Sequence, residues 1–489
     1  MMLGCRKYCL WLLSAVAFCQ CISAQVPGNE DSKIVTTQSD SVLITPSQDR
    51  KADTSFTVRE IVLVGNKKTR EEIMLREIPL KPGEKYILQE LVKKFEIARR
   101  NLMNTTLFHE VVVAVKGFEG YYVDVLVQVR ERWYLFPVPY FKPVDRNLNQ
   151  WIVEQKASLT RVNYGIKLMY YNATGRNDKL RAWFIGGYTK QIALSYDRLY
   201  IDKAMKWGLN TSFNIGKNKE INYNTINDKQ AFLKEENYLR KFMNMSVELT
   251  YRHAIKTRHR FGLSFIKEEI ADTVVKLNPN YFVGSRTTVS FPEFYYRMSY
   301  FDLDYIPYPT KGYAAEFFFG KKGVDKQVNL WQVSANATGI WHTGKNMFLT
   351  LIGYAAIKLP FDQPYFTSHM LGYSDVFLQG YEYYIIDGVA AGYLKASFNK
   401  RLFGFSIKGP AFKKFIPQRI PFSFYGKIYG NAGYVYNEQP GENSLPNKML
   451  YSTGIGLDII TMYDFILKLE WSFNQLGQNG LFLHRKSIF

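Results

Sequence analysis

The sequence predicts a membrane all-β protein: an outer-membrane antiparallel β-barrel of about 16 strands, preceded by one small α+β domain. Three observations lead there. The chain opens like an exported protein, residues 55–132 carry a compact mixed β/α pattern, and from Trp133 to Phe489 strand-length alternation runs without any apolar stretch long enough for a transmembrane helix.

With 489 residues the chain exceeds one ordinary globular domain. Residues 1–24 contain Arg6 and Lys7, an apolar run from Tyr8 to Cys19 and the small-residue ending of "CISA", the layout of a secretory signal peptide. Acylation at Cys19 or Cys21 fits less well, because Phe18 and Gln20 are larger than the residue that precedes a lipidated cysteine. Cys5, Cys9, Cys19 and Cys21 are the chain's only cysteines and all fall in this segment, so the exported chain is expected to fold without disulfides. The formal net charge of +20 stays strongly basic after the signal is discounted. For an exported chain that balance points to outer-membrane lipids and lipopolysaccharide phosphates as surroundings, and no nucleic-acid-binding motif is present.

Residues 25–54 are rich in Ser, Thr, Asp and Gln and read as a flexible linker. Residues 55–132 then give the order β-α-α-β-β. "FTVREIVLVGN" is a strand ending in a glycine turn, and Thr69 with Glu72 forms a capping box expected to start a short helix through Ile78. Leu88, Leu91, Val92, Phe95, Ala98 and Leu102 recur at helical spacing and predict a second helix with one buried stripe. Two strands follow, "HEVVVAVKG" and "YVDVLVQVRER", the second with Val123, Val125, Val127 and Val129 on one face.

Residues 133–489 are expected to form the transmembrane β-barrel. In "WQVSANATGIWH", Trp331, Val333, Ala335 and Ala337 alternate with Gln332, Ser334, Asn336 and Thr338. Ten such residues at about 3.3 Å each, tilted by roughly 40°, span about 25 Å, the height of the apolar band of an outer-membrane barrel. "DFILKLEWSFN" sends Phe465, Leu467, Leu469, Trp471 and Phe473 to lipid and Lys468, Glu470, Ser472 and Asn474 to the lumen. "YSTGIGLDI" repeats the pattern, with Tyr451, Ile455, Leu457 and Ile459 outward and Ser452 and Asp458 inward.

Two regions resemble known families. The "VREIVLVGNKKTREEI" opening and the element order of residues 55–132 resemble a single POTRA domain, the periplasmic module of outer-membrane assembly and secretion proteins. The barrel is similar to the superfamily that includes BamA, TamA and the two-partner-secretion transporters, also known as the bacterial surface antigen family. "YFDLDYIPYPTKGYAAEFFF" matches its P-T-[RK]-G strand entry and "FYGKIYGNAGYVYN" its F-x-D-x-G strand, which supplies Asn431 and Gly433 on the barrel wall. "FLQGYEYY" stands where the family has its V-R-G-[FY] loop, as Leu378, Gln379, Gly380 and Tyr381, and Phe489 stands where the family has its carboxy-terminal assembly signal. The resemblance implies that the loop folds into the lumen with its tip docked on the wall. The family's arginine is Gln379 here and its aspartate partner is Asn431, so the resemblance implies an uncharged dock in which two amides replace an ion pair.

No catalytic signal stands out. The six histidines form no metal-binding spacing, no G-x-S-x-G elbow occurs, and neither a cofactor nor a metal site is expected. The resemblance therefore implies a non-enzymatic insertase or translocase of the bacterial outer membrane. Its POTRA domain would stand in the periplasm and capture unfolded or secreted client proteins by strand addition, with accessory lipoproteins as further partners. A secretion pore for one dedicated partner, and a passive or structural barrel, are the competing expectations.

Overall fold

The computed structural model describes residues 55–143, 156, 158, 159, 162–373, 376–409 and 419–486. The expected signal peptide, the linker and Phe489 lie outside the described residues.

The small domain runs β1 (Ser55–Val64), α1 (Glu71–Leu75), β2 (Lys85–Ile87), α2 (Leu88–Asn104), β3 (Phe108–Glu119) and β4 (Tyr122–Glu131). Its sheet has the order β2-β1-β4-β3, with β1 parallel to β4 and the other pairs antiparallel. Val123, Val125 and Val127 are fully buried against Ile73 and Met74 of α1 and Leu91, Ala98 and Leu102 of α2. The α2 stripe is narrower than its spacing implies, because Leu88 and Val92 are exposed. The short β2 is an element the sequence reading did not contain.

The capping box does not form. Arg70 is the N-cap of α1 and makes no side-chain cap bond. Thr69 is turned elsewhere: its hydroxyl lies 3.1 Å from the Tyr134 hydroxyl and accepts from Asn172 Nδ2 at 3.0 Å, which ties the turn to the barrel.

The barrel begins with β5 (Leu135–Pro143), β6 (Val162–Tyr171), β7 (Lys179–Gly187), β8 (Thr189–Tyr200) and β9 (Trp207–Asn218). A hairpin, β10 (Glu220–Ile226) and β11 (Lys229–Lys234), leads to β12 (Arg240–Tyr251) and β13 (Thr257–Ile270). After α3 (Asp272–Leu277) come β14 (Thr288–Leu303), β15 (Gly312–Lys322), β16 (Leu330–Gly344) and β17 (Met347–Leu359). A long loop holding β18 (His369–Leu371) and β19 (Ile386–Asp387) precedes β20 (Ala390–Lys408), β21 (Arg419–Tyr436), β22 (Met449–Ile460), β23 (Ile466–Asn474) and β24 (Asn479–Lys486).

Sixteen of these strands form one antiparallel sheet in sequence order, with β10, β11, β18 and β19 outside it. The period-two pattern assigns the faces as expected. Trp471 and Phe473 are exposed while Glu470 and Ser472 are buried, and Tyr451 and Ile455 face out while Ser452 and Asp458 face in. The sheet curls back on itself: the ring of Phe136, on the first barrel strand, meets that of Tyr463, between β22 and β23, at a centroid distance of 5.5 Å.

Closure is nevertheless incomplete. Among the described residues β5 pairs only with β6 and β24 only with β23, leaving two open edges. They are chemically unequal. Tyr171 N–H donates to the Tyr134 carbonyl at 2.8 Å, so in this antiparallel pair the even-numbered residues of β5 point their main-chain groups at β6 and the odd-numbered ones point away. Pro137, Pro139 and Pro143 are all odd-numbered, so the open edge lacks their N–H donors. The Trp133 indole N–H also covers the Leu135 carbonyl on that edge. On β24 the Gln478 carbonyl accepts from Asn474 N–H at 3.0 Å, which turns the even residues to β23 and leaves Asn479, Leu481, Leu483 and Arg485 with both N–H and C=O on the open side.

The small domain is held against four turns at one end of the barrel. Arg252, after β12, makes two 2.6 Å bonds to Glu77. Arg132 reaches Asp464 at 2.5 Å, and the Tyr305 hydroxyl meets the same carboxylate. Asn104 donates to the Leu303 carbonyl at 3.2 Å and accepts from Ile306 N–H at 2.9 Å, while Arg70 N–H donates to the Gly175 carbonyl at 3.0 Å. Burial pushes the Glu77 carboxyl up, but the hydrogen bonds and charge of Arg252, with Arg76 and Arg258 behind, outweigh it and hold the group below the usual glutamate range.

Because the folded-state value is depressed, the stabilisation from Glu77 is fully present above about pH 4.3 and is lost as the pH falls through the lower folded value. Glu77→Gln leaves Arg76 and Arg252 without their carboxylate and should weaken docking by roughly 3–5 kcal/mol. Limited proteolysis around residue 132 checks both points: the variant should be cut faster at neutral pH, and its cutting should lose the acid-dependent rise that the wild type shows.

Candidate functional site

The loop between β17 and β20 enters the barrel from the end opposite the small domain and lies on the inner wall of β21–β24. Leu378 is buried over Gly433, where a β-carbon would stand 2.6 Å from Leu378 Cδ1. Only glycine leaves room for that seat. Gly380 has φ of +88° and a β-carbon there would stand 3.0 Å from Ser452 Cβ, so the loop tip also needs glycine for both conformation and clearance. Its carbonyl accepts from Asn474 Nδ2 at 2.8 Å. Tyr381 is buried and donates to the Tyr451 carbonyl at 3.1 Å, while Tyr384 donates to Gln478 Oε1 at 2.6 Å. Phe377 stacks on His484 of the last strand with ring centroids 5.0 Å apart.

This fold, sixteen strands with a loop inside and a mixed domain in front, matches known families. Residues 56–132 match the POTRA model, described as a surface antigen variable number repeat, and residues 172–462 match the Omp85 superfamily domain. The chain belongs to the Omp85 superfamily. A Treponema pallidum (strain Nichols) protein, provisionally named an outer membrane protein assembly factor, is 37% identical over 76 residues, a match that takes in 15% of this chain and only 9% of the relative. Among solved structures, CdiB from Escherichia coli is similar at a TM-score of 0.52 and 9% identity, over 88% of this chain and 75% of that one. BamA from Haemophilus ducreyi lacking POTRA domains 1–3 aligns at a TM-score of 0.48 and 14% identity, over 88% and 83% of the two chains. The Omp85 barrel lies in the bacterial outer membrane with its POTRA domain in the periplasm.

The structure brings Leu378 to Gly433 and Gly380 to Ser452, but it does not pair Gln379 with Asn431. The Gln379 side chain instead approaches the Glu470 carboxylate on β23. Asn431 donates to the Ser452 hydroxyl at 2.9 Å, and its Oδ1 has no partner among the described residues. The reason is a charged cluster on this Omp85 wall. Lys427, which points inward from the same strand as Asn431, stands 2.7 Å from Asp458 and also bonds Glu470. The cation is thus on the wall, between two carboxylates, and the loop contributes an amide.

Glu470 also connects to the last strand. His484 Nε2 lies 3.4 Å from Glu470 and 3.2 Å from Glu382 of the loop. Among the described residues these three place ligand atoms within 4.8 Å of one another, so the imidazole bridges the loop carboxylate and the wall carboxylate. The inward positions of Asp458 and Glu470 follow from strand alternation. That Lys427 neutralises both follows only from the register of three neighbouring strands, which alternation alone does not give.

Lys427→Met should leave the buried Asp458 and Glu470 carboxylates without their shared cation and destabilise the barrel by roughly 3–5 kcal/mol. Gln379→Arg and Asn431→Asp should behave as independent changes, with a coupling within about 0.5 kcal/mol. Heat-modifiable gel mobility across temperature reads all of these. A double variant markedly more stable than the sum of its parts would restore the amide-pair reading.

Proposed function

We propose that this Omp85 protein is a non-enzymatic outer-membrane insertase or translocase that takes client polypeptides as added β-strands, first at the POTRA edge and then at the β24 edge of the open seam. The observation that carries the reading is the seam itself: among the described residues β24 keeps its outward donors and acceptors unpaired, while β5 lacks three of the outward donors that a closing ladder would use. Unfolded or secreted client chains are the partners this chemistry suits, with membrane lipid at the seam and accessory lipoproteins on the periplasmic side.

The POTRA sheet offers a matching edge. Arg132 N–H donates to the Leu107 carbonyl at 2.9 Å, so alternate β4 residues Arg130, Gln128 and Leu126 face β3, where they pair with Glu110, Val112 and Ala114. Val111, Val113 and Val115 therefore turn their main-chain groups outward. The Val111 carbonyl indeed accepts from Arg99 Nε at 3.3 Å rather than from the sheet. This long strand is an edge of the sheet, and an extended peptide can add to it.

A passive pore accords less well with the extracellular end. There the tip of the β10–β11 hairpin reaches across to the β21–β22 loop: the Asp228 carboxylate accepts from Ser444 and Leu445 N–H at 3.0 and 3.1 Å, and the Asp228 main-chain N–H donates to Asn443 Oδ1 at 2.7 Å. With the docked luminal loop, these contacts obstruct a straight channel.

Val113→Pro removes one outward donor and should weaken binding of an extended client peptide by roughly fivefold, the worth of about 1 kcal/mol, while heat-modifiable mobility stays unchanged. Undiminished binding by the folded variant would count against strand addition. Depletion of the protein followed by outer-membrane proteomics tests the broader reading. Loss of many barrel proteins marks general assembly, loss of one surface protein marks dedicated secretion, and an unaltered proteome would refute both.

A further inference from the structure

Between the POTRA domain and the periplasmic half of the barrel lies a cavity of about 650 Å³. Ten lysine and arginine side chains line it against four carboxylates. The carboxylates are all engaged. Glu77 holds Arg252 and Arg76, Asp197 holds Arg181 at 2.6 Å, and Asp302 holds Lys256 at 2.8 Å. Glu248 accepts from Asn210 at 2.6 Å and from the Tyr295 hydroxyl at 2.9 Å.

Arg198, Arg258, Arg260 and Lys179 are left facing the cavity with no carboxylate in ion-pair reach among the described residues. Arg258 and Arg260 are alternate residues of β13 and so share its inner face, and neither has a hydrogen-bond partner there. Arg198 is positioned by a distorted main chain. It sits at a bulge in the β8–β9 pairing with φ of 65°, and its guanidinium is anchored at 2.9 and 2.6 Å on the carbonyl and side-chain oxygen of Asn177. A non-glycine residue held in the left-handed region at a bulge is a recurrent device for aiming a functional side chain.

Like charges gathered in a partly buried cavity repel one another and have lost much of their hydration, so an anion that enters gains from all of them at once. Planar guanidinium forks match the oxygens of phosphate in pairs. We propose that this cavity binds a phosphate-bearing anion, gripped by Arg198, Arg258 and Arg260 with Lys179 as the fourth cation. Arg76 and Arg100 of the POTRA domain border the same space, so the bound anion lies on the joint between the two domains and strengthens it. The proposal stands apart from the client reading, since it rests on uncompensated charge rather than on strand edges.

Inorganic pyrophosphate is the probe, added to the full-length protein in a neutral detergent at constant ionic strength. It should bind saturably, broaden its phosphorus resonances and raise the unfolding temperature, whereas chloride at equal ionic strength should not. The double variant R258Q/R260Q should bind at least about tenfold more weakly, as expected for loss of charge-assisted hydrogen bonds. Without the probe it should be no less stable than the wild type, because it relieves repulsion. Competition by lipopolysaccharide vesicles, but not by vesicles of dephosphorylated lipopolysaccharide, would identify a lipid headgroup as the source; absence of competition with retained pyrophosphate binding would identify a free phosphate compound. No saturable binding by the wild type, equal binding by the double variant, or a response to polyglutamate in place of pyrophosphate would overturn the proposal.

Discussion

A strand inside a membrane has no water to satisfy its main-chain N–H groups, and the whole barrel depends on how that constraint is met at its two ends. Fifteen of the junctions between neighbouring barrel strands are ordinary antiparallel ladders. At the sixteenth the chain meets the constraint differently. Prolines at three of the five outward-pointing positions of β5 remove donors that would otherwise be orphaned, and an indole N–H occupies one of the carbonyls. An open β5 edge therefore carries fewer main-chain donors than the β24 edge, which keeps a full row of donors and acceptors. The asymmetry makes the seam weak by covalent structure, since proline carries no N–H to offer.

The rest of the molecule braces the side that is left reactive. The luminal loop contacts β21 through β24, and its Phe377 and Glu382 both reach His484 on the last strand. Lys427, Asp458 and Glu470 link β21, β22 and β23 below it. At the periplasmic end Asp464, in the turn between β22 and β23, receives Arg132 from the connection out of the POTRA domain. The strands leading to the open β24 edge are thus tied at both ends, to the loop and to the POTRA domain.

Much of this was legible in the chain, and what was not has physical causes. Alternation placed Trp471 outward and Glu470 inward because a strand has a fixed period of two, whatever its neighbours do. The glycines at 380 and 433 were legible through the loop and wall motifs, and the structure supplies their reason in the room they leave for Ser452 and Leu378. The partner of Gln379 was not legible, because pairing across a wall depends on register and on charges from adjacent strands, and Lys427 had already taken the role assigned to the loop. Thr69 misled for a related reason: a capping pattern describes a free helix end, and here that end is a contact with Tyr134 and Asn172. The prolines of "LFPVPYFKP" were visible throughout, but their effect required knowing which side of β5 is open.

The unequal edges are tested most directly by photo-crosslinking a client strand arrested during insertion. A photoreactive residue is placed in turn at Leu481 and Leu483 on β24 and at Val138 and Phe141 on β5, all of which are solvent-exposed in the isolated chain. The account predicts that the client is captured predominantly from the β24 positions. Capture predominantly from β5, with little from β24, would contradict it.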